Sequence, residues 1–291
     1  MPGSRPGVRH PGERSRPPAA DGSVSTVAPP LPAGRWLTPA YKVLACLRRG
    51  RVADVYDVWS QERGCRCVAK VLRPERVNDR KSQRQLLREG RLLRGLCHPH
   101  IVRLYEILWV PSPVLILETL TGATLSHILK DNHRLGPADL TPLGIHLCSA
   151  MYYLHRRAGF LHLDLKPSNI VSEQGRAKVI DFSIARRPGR GRKGVGTRPY
   201  LAPEQARGDL LTGAADVWGI GIVLFEAATG RRAFATGNNG GYPQLEHRAE
   251  SVRKDARLPI QLTEAIDSCL EPNPKDRPNV AELSKVLSAR T

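Results

Sequence analysis

The 291-residue sequence predicts an α+β fold, and three observations carry that reading. Short β-rich runs crowd residues 41–72, helical apolar spacing appears at Lys81–Leu96 and Leu140–Leu154, and 41% apolar content is enough to bury a real core. Ahead of these elements, residues 1–34 hold eight prolines and five glycines with hardly any large apolar residue, which is the composition of a disordered tail.

The first runs are Tyr41–Leu44, Val55–Trp59 and Cys67–Leu72, read as three antiparallel strands. A stretch with a single glycine, Gly50, joins the first two. Lys81–Leu96 has helical spacing through Leu86, Leu87, Leu92, Leu93 and Leu96, and its one interior acid is Glu89. Val114–Leu120 reads as a buried strand and Leu140–Leu154 as a long helix. Ile170-Val171 and Ala177–Ile180 flank Glu173–Arg176, a hairpin that brings Asn169 near Asp181. There are no internal repeats.

Lys and Arg number 45 against 27 acidic residues, a formal net charge of +18. Such an excess favours nucleic acid, an anionic membrane or an acidic protein as partner, or it reflects a compositionally biased genome. No apolar run approaches the roughly 18 residues of a spanning helix, and the N-terminus has Pro and Arg where a signal peptide needs an apolar core. A cytoplasmic protein with no membrane span is expected. The six cysteines are scattered and read as free thiols, and Cys65-x-Cys67 with Cys97-His98-x-His100 fits no common zinc spacing.

The chemistry concentrates in Leu161-His162-Leu163-Asp164-Leu165-Lys166-Pro167-Ser168-Asn169 and in Asp181-Phe182-Ser183. Asp164 can accept a hydroxyl proton, Lys166 can neutralise charge on a transferring phosphoryl group, and Asn169 with Asp181 can hold Mg²⁺ through oxygen. His162-x-Asp164-x-Lys166-x-x-Asn169 and Asp181-Phe182 resemble the catalytic and metal loops of protein kinases. Further pieces follow in kinase order: Gly196–Glu204 resembles the substrate-docking turn with its closing Ala-Pro-Glu, Asp216–Gly221 the start of the buried anchoring helix, and Pro272–Pro278 the segment whose arginine, Arg277, pairs with Glu204. The resemblance covers roughly residues 41 to 288. Ala202–Gly208 is particularly similar to the bacterial serine/threonine kinases that share the eukaryotic fold.

That resemblance implies a bilobal fold, with residues 35–120 as a small antiparallel β lobe plus hinge and 121–291 as a larger, mainly helical lobe. It implies transfer of the ATP γ-phosphoryl to Ser or Thr hydroxyls of proteins, with Mg²⁺ on Asn169 and Asp181 and with Asp164, Lys166 and Thr197 at the reacting hydroxyl. To the nucleotide it assigns Gly50, Val55, Ala69, Lys70, Glu89, Leu117, Glu118, Leu120 and Val171, with Glu89 pairing Lys70 and Leu117 guarding the back of the pocket. Two alternatives stand beside it. A pseudokinase acting as a binding or scaffold module would explain a degraded nucleotide loop, and a small-molecule phosphotransferase would share the catalytic loop but lack Ala-Pro-Glu.

The sequence also departs from the kinase pattern. Arg48 and Ala53 replace two glycines of the nucleotide loop, and Ser183 replaces the glycine of Asp-Phe-Gly. Leu163 stands where many kinases carry an arginine for a phosphorylated activation loop, and no Ser, Thr or Tyr lies between Ile184 and Gly196. Activation independent of phosphorylation in that loop is therefore expected. The loop carries Arg186, Arg187, Arg190, Arg192, Lys193 and Arg198, so it is expected to be self-repelling and mobile and to favour an acidic substrate or partner. No aromatic residues interleave these cations, which argues against nucleic acid. Oligomeric state is not fixed by the sequence.

Overall fold

The computed structural model of the chain describes residues 28–109, 111–234 and 241–289, together with residue 3. Most of the expected disordered tail thus lies outside the described residues. The small lobe is a six-stranded antiparallel sheet built from β1 (Trp36–Thr38), β2 (Tyr41–Arg49), β3 (Ala53–Ser60), β4 (Cys65–Leu72), β5 (Leu104–Trp109) and β6 (Pro113–Glu118), in the order β1-β2-β3-β4-β6-β5. Helix α1 (Arg80–Arg94) crosses between β4 and β5. Asp79 caps it by accepting from the Lys81 amide at 2.9 Å, and Leu86, Glu89, Leu92 and Leu93 form its buried stripe.

Strand parity divides the sheet into two faces. Tyr41, Val43, Tyr56, Val58, Cys67 and Ala69 form an outer core, while Leu72, Leu86 and Leu115 pack on the α1 side. Residues 28–34 and β1 cover part of the outer core. Leu31 packs against it and donates its amide to Tyr56 Oη at 3.0 Å, the Gly34 amide donates to the Val43 carbonyl at 2.8 Å, and Arg49 reaches the Ala28 carbonyl at 2.7 Å. The end of the proline-rich stretch is therefore held against the small lobe.

The large lobe begins with β7 (Ala123–Thr124), α2 (Leu125–Asn132) and α3 (Pro137–Tyr153), and the hairpin β8 (Ile170–Glu173) and β9 (Arg176–Val179) follows. Gln174 and Gly175, with φ of 49° and 75°, make the tight turn of that hairpin. β10 (Gly189–Arg190) then pairs antiparallel with β11 (Leu210–Leu211) across α4 (Pro203–Arg207). Helices α5 (Gly213–Thr229), α6 (Ile260–Cys269) and α7 (Val280–Ser288) complete the lobe. α5 is apolar almost all round because it lies inside the core, against α3 and α6. No helix of the described residues is long and apolar enough to cross a membrane.

Candidate active site

Three elements converge on Lys70. From β4 its ammonium donates to both Glu89 oxygens on α1 at 2.8 Å each and to Asp181 Oδ1 at 2.9 Å. Burial works against the Lys70 charge, but the two carboxylates outweigh it and hold the ammonium above its ordinary pKa. Burial likewise opposes ionisation of Asp181, and the Lys70 charge outweighs it, so that carboxyl sits well below its usual range. The Phe182 amide donates to Glu89 Oε1 at 3.1 Å, which ties the segment after β9 to α1. Asp181 has φ of 66°, a left-handed conformation held by these contacts. Ser183 is not among the positive-φ residues, so its side chain brings no backbone strain at the glycine position.

The catalytic loop is fixed from beneath by Asp216 at the start of α5. Its carboxylate accepts from the amides of His162 at 2.8 Å and Leu163 at 2.7 Å and pairs with His155 Nε2 at 2.7 Å. Burial raises the Asp216 pKa, yet these partners bring it below the ordinary value. On this base Thr197 Oγ1 donates to Asp164 Oδ1 at 2.7 Å, and Lys166 Nζ donates to Asp164 Oδ2 at 2.7 Å and to Thr197 Oγ1 at 2.6 Å. Asn169 Nδ2 donates to the Asp164 carbonyl at 2.9 Å and to Oδ2 at 3.0 Å. The Asp164 carboxylate thus gathers three candidates, Lys166, Asn169 and Thr197, and Oδ1 keeps a lone pair for an incoming hydroxyl.

Turned this way, Asn169 leaves its Oδ1 buried with no hydrogen-bond partner among the described residues. An orphaned buried acceptor costs about 1–3 kcal/mol, which a cation in that position would recover. The Ile180 amide donates to the Asn169 carbonyl at 2.9 Å, so the hairpin brings the Asn169 backbone beside the residue that precedes Asp181. A hard divalent cation such as Mg²⁺ suits that oxygen donor set.

The nucleotide residues divide more unevenly. Val55 lies opposite Lys70 in the β3–β4 register and shares its face, and Leu117 lies opposite Val68 on β6. Glu118 turns its side chain to Lys178, at 2.6 and 2.7 Å, and its amide donates to the Arg103 carbonyl at 3.0 Å. Leu120 is half-buried in the connection after β6, and Val171 is buried on β8, two residues beyond Asn169. Ala69 is a correction. Alternation puts it on the opposite face from Lys70, in the outer core with Tyr56 and Val58, so Val68 is the β4 neighbour that shares the nucleotide side. The i, i+2 spacing from Lys70 was the signal that would have found it.

Gly50 sits in the three-residue connection between β2 and β3, where a Cβ would meet the Ala53 carbonyl oxygen at 2.2 Å. Sequence reasoning missed its brace, Asp54. This carboxylate is 1% exposed, accepts from the Gly50 amide at 3.3 Å and from Tyr56 Oη at 3.4 Å, and pairs with Arg49 at 3.4 Å. Nothing in the sequence distinguished it from a surface acid.

The activation segment differs from the loose, self-repelling stretch expected. Leu161 and Arg186 exchange backbone hydrogen bonds at 2.7 and 3.0 Å, β10 pairs with β11, and the amides of Gly191 and Gly194 donate to the carbonyls of Asp209 at 2.8 Å and Gln205 at 3.0 Å. Arg187, Arg190, Arg192, Lys193 and Arg198 are exposed, where screening limits their repulsion. Beyond the segment, Glu204 receives a bidentate pair from the buried Arg277 at 2.7 and 2.9 Å, as the resemblance to protein kinases implied. The guanidinium stacks 4.9 Å from the Trp218 ring centre and donates its remaining protons to backbone carbonyls of Ala214, Glu271 and Pro272.

These ion pairs recur in their expected order along the chain, and comparison with known proteins agrees with them. A protein kinase domain model matches residues 41–286. The serine/threonine-protein kinase PkaA of Streptomyces coelicolor is 35% identical over 232 residues, covering 75% of this chain and 42% of the relative. A probable serine/threonine-protein kinase PknB of Bifidobacterium longum is 32% identical over 258 residues, 82% of this chain and 37% of its own. The serine/threonine-protein kinase PknB of Mycobacterium tuberculosis is 32% identical over 227 residues, 72% and 36% respectively. The chain therefore spans about two fifths of the length of these relatives. With the domain model covering both lobes and every catalytic element, the chain belongs to the protein kinase domain family.

Proposed function

We propose that the protein is a serine/threonine protein kinase that transfers the ATP γ-phosphoryl group without needing phosphate on its activation segment. The observation that carries this reading is the joint arrangement of Lys70, Glu89 and Asp181 on one side and Asp164, Lys166, Asn169 and Thr197 on the other, each within hydrogen-bond reach of its partner. Asp164 orients the acceptor hydroxyl and takes its proton, Lys166 moves its charge toward the transferring group, and Lys70, kept charged by Glu89, holds the α and β phosphates. Asn169 Oδ1 and Asp181 would hold Mg²⁺, which would supply neutralisation of the phosphate charge. Thr197 keeps Asp164 and Lys166 at the hydroxyl, and its place in this contact means that modifying it would inhibit.

Support for phosphate-independent activation is local. The segment from Asp181 to Glu204 is tied to the large lobe by backbone hydrogen bonds, Leu163 cannot pair with a phosphate, and no acceptor hydroxyl lies between Ile184 and Gly196. The exposed cations of the segment favour acidic sequence around the phosphoacceptor.

The test is transfer of labelled phosphate from ATP with Mg²⁺ to a mixed set of Ser- and Thr-containing peptides. Asp164→Asn and Lys70→Met should each lower kcat about 10²- to 10⁴-fold, while nucleotide binding survives in Asp164→Asn. Full activity in both variants would end the kinase reading, and native protein that binds ATP without any transfer would identify a pseudokinase.

A further inference from the structure

Beside the C-terminal half of α1, a cavity of about 320 Å³ opens between the helix and the run leading into the catalytic loop. Its floor is apolar: Leu92 and Leu96 come from the α1 side, Ala158 and Phe160 from the turn after α3. Its rim is cationic. Arg88 and Arg91 stand exposed on α1, and the Arg187 guanidinium lies 5.2 Å from the Phe160 ring centre.

This charge is uncompensated. Glu89 is the one acid of α1 and is buried on Lys70, and none of Arg88, Arg91 or Arg187 pairs with a carboxylate among the described residues. Arginines that cover an apolar hollow and lack acid partners form a half-built interface: the floor offers burial for a large side chain, and the rim offers charge-assisted, bidentate hydrogen bonds.

We propose that this cavity docks an acidic partner polypeptide that inserts one large apolar side chain between α1 and Phe160 and sets flanking carboxylates on Arg88, Arg91 and Arg187. The chain's own first 27 residues do not complement it, because they carry Arg5, Arg9, Arg14 and Arg16 against only Glu13 and Asp21. Nucleic acid fits poorly, since the floor is a single concavity rather than a track of stacking platforms and the face of Phe160 is already covered by Arg187. Occupancy would bridge α1, which carries Glu89, to the residues just before His162, and so favour the arrangement in which Glu89 holds Lys70. Docking itself does not depend on the proposed phosphoryl transfer; only this activating consequence does.

The experiment is fluorescence anisotropy on the full chain without nucleotide, using labelled peptide EEFEEFEE, which has no phosphoacceptor. Saturable binding is expected, at least tenfold weaker for QQFQQFQQ and for EEAEEAEE, and at least tenfold weaker when Arg88→Glu and Arg91→Glu are combined. In parallel, the native protein's transfer rate should rise with EEFEEFEE, while the double variant keeps its basal rate and shows no rise. Absence of saturable binding, equal binding by the double variant, or equal displacement by single-stranded DNA and by unlabelled EEFEEFEE would each overturn the docking site. Binding that leaves an active enzyme's rate unchanged would overturn its link to Glu89, and an enzyme with no basal transfer would still report on docking through the anisotropy alone.

Discussion

The nucleotide loop and the activation segment meet one demand, a loop held beside the transferred phosphate, with opposite materials. Between β2 and β3 two glycines of the kinase pattern are gone, and side chains do the holding: Asp54, Arg49 and Tyr56 brace the hairpin from its outer face, and Arg73 Nη1 donates to the Gly50 carbonyl at 3.2 Å. In the activation segment most charged side chains are exposed, and backbone does the holding through Gly191, Gly194 and the β10–β11 pair. A loop that lost two glycines is thus braced by a buried carboxylate, and in the proposed reading a segment whose backbone finds partners directly needs no phosphate. Gly50 persists because a close approach to Ala53 requires it, whereas Arg48 and Ala53 lie in strands that have no such need.

The comparison breaks most visibly in the second loop. Gly208, with φ of 84°, ends α4, and a Cβ there would meet the Lys193 backbone nitrogen at 2.8 Å. Gly208→Val should displace the segment at Lys193 and lower kcat about 10- to 100-fold, with ATP affinity little changed. Thermal melting alongside the kinetics separates this from global unfolding, and unaltered kcat in a folded variant would mean that backbone packing does not hold the segment.

A smaller effect belongs to the nucleotide loop. Asp54 shares the outer face with Tyr56 and Val58, so its carboxylate positions the loop without facing the phosphates. Asp54→Ala should raise the KM for ATP about three- to tenfold and leave kcat nearly constant, while Asp54→Asn, which keeps an acceptor for the Gly50 amide, should fall between. An unchanged KM in Asp54→Ala would remove the brace from the account, and a lowered one would mean that the carboxylate repels the nucleotide.

How much was legible in the sequence follows the same division. The resemblance to protein kinases implied the Lys70–Glu89 pair, the Asp164 cluster and the Glu204–Arg277 pair, because each rests on residue types that chemistry requires at a fixed place. Strand parity was available but not applied at Ala69, and Val68 was missed for that reason. Asp54 and the docking of residues 28–34 on the outer sheet face were illegible, since both depend on long-range contacts that leave no local pattern. The course of the activation segment was illegible from its charge, since the backbone hydrogen bonds that hold it leave no mark on composition.

The central claim is transfer without phosphate on the activation segment, and one measurement tests it most directly. Protein treated with a phosphatase, with mass spectrometry verifying that residues 181–204 are unmodified, is assayed for transfer against untreated protein. The account expects kcat to agree within about twofold. A strict requirement for phosphate on residues 181–204 would contradict it.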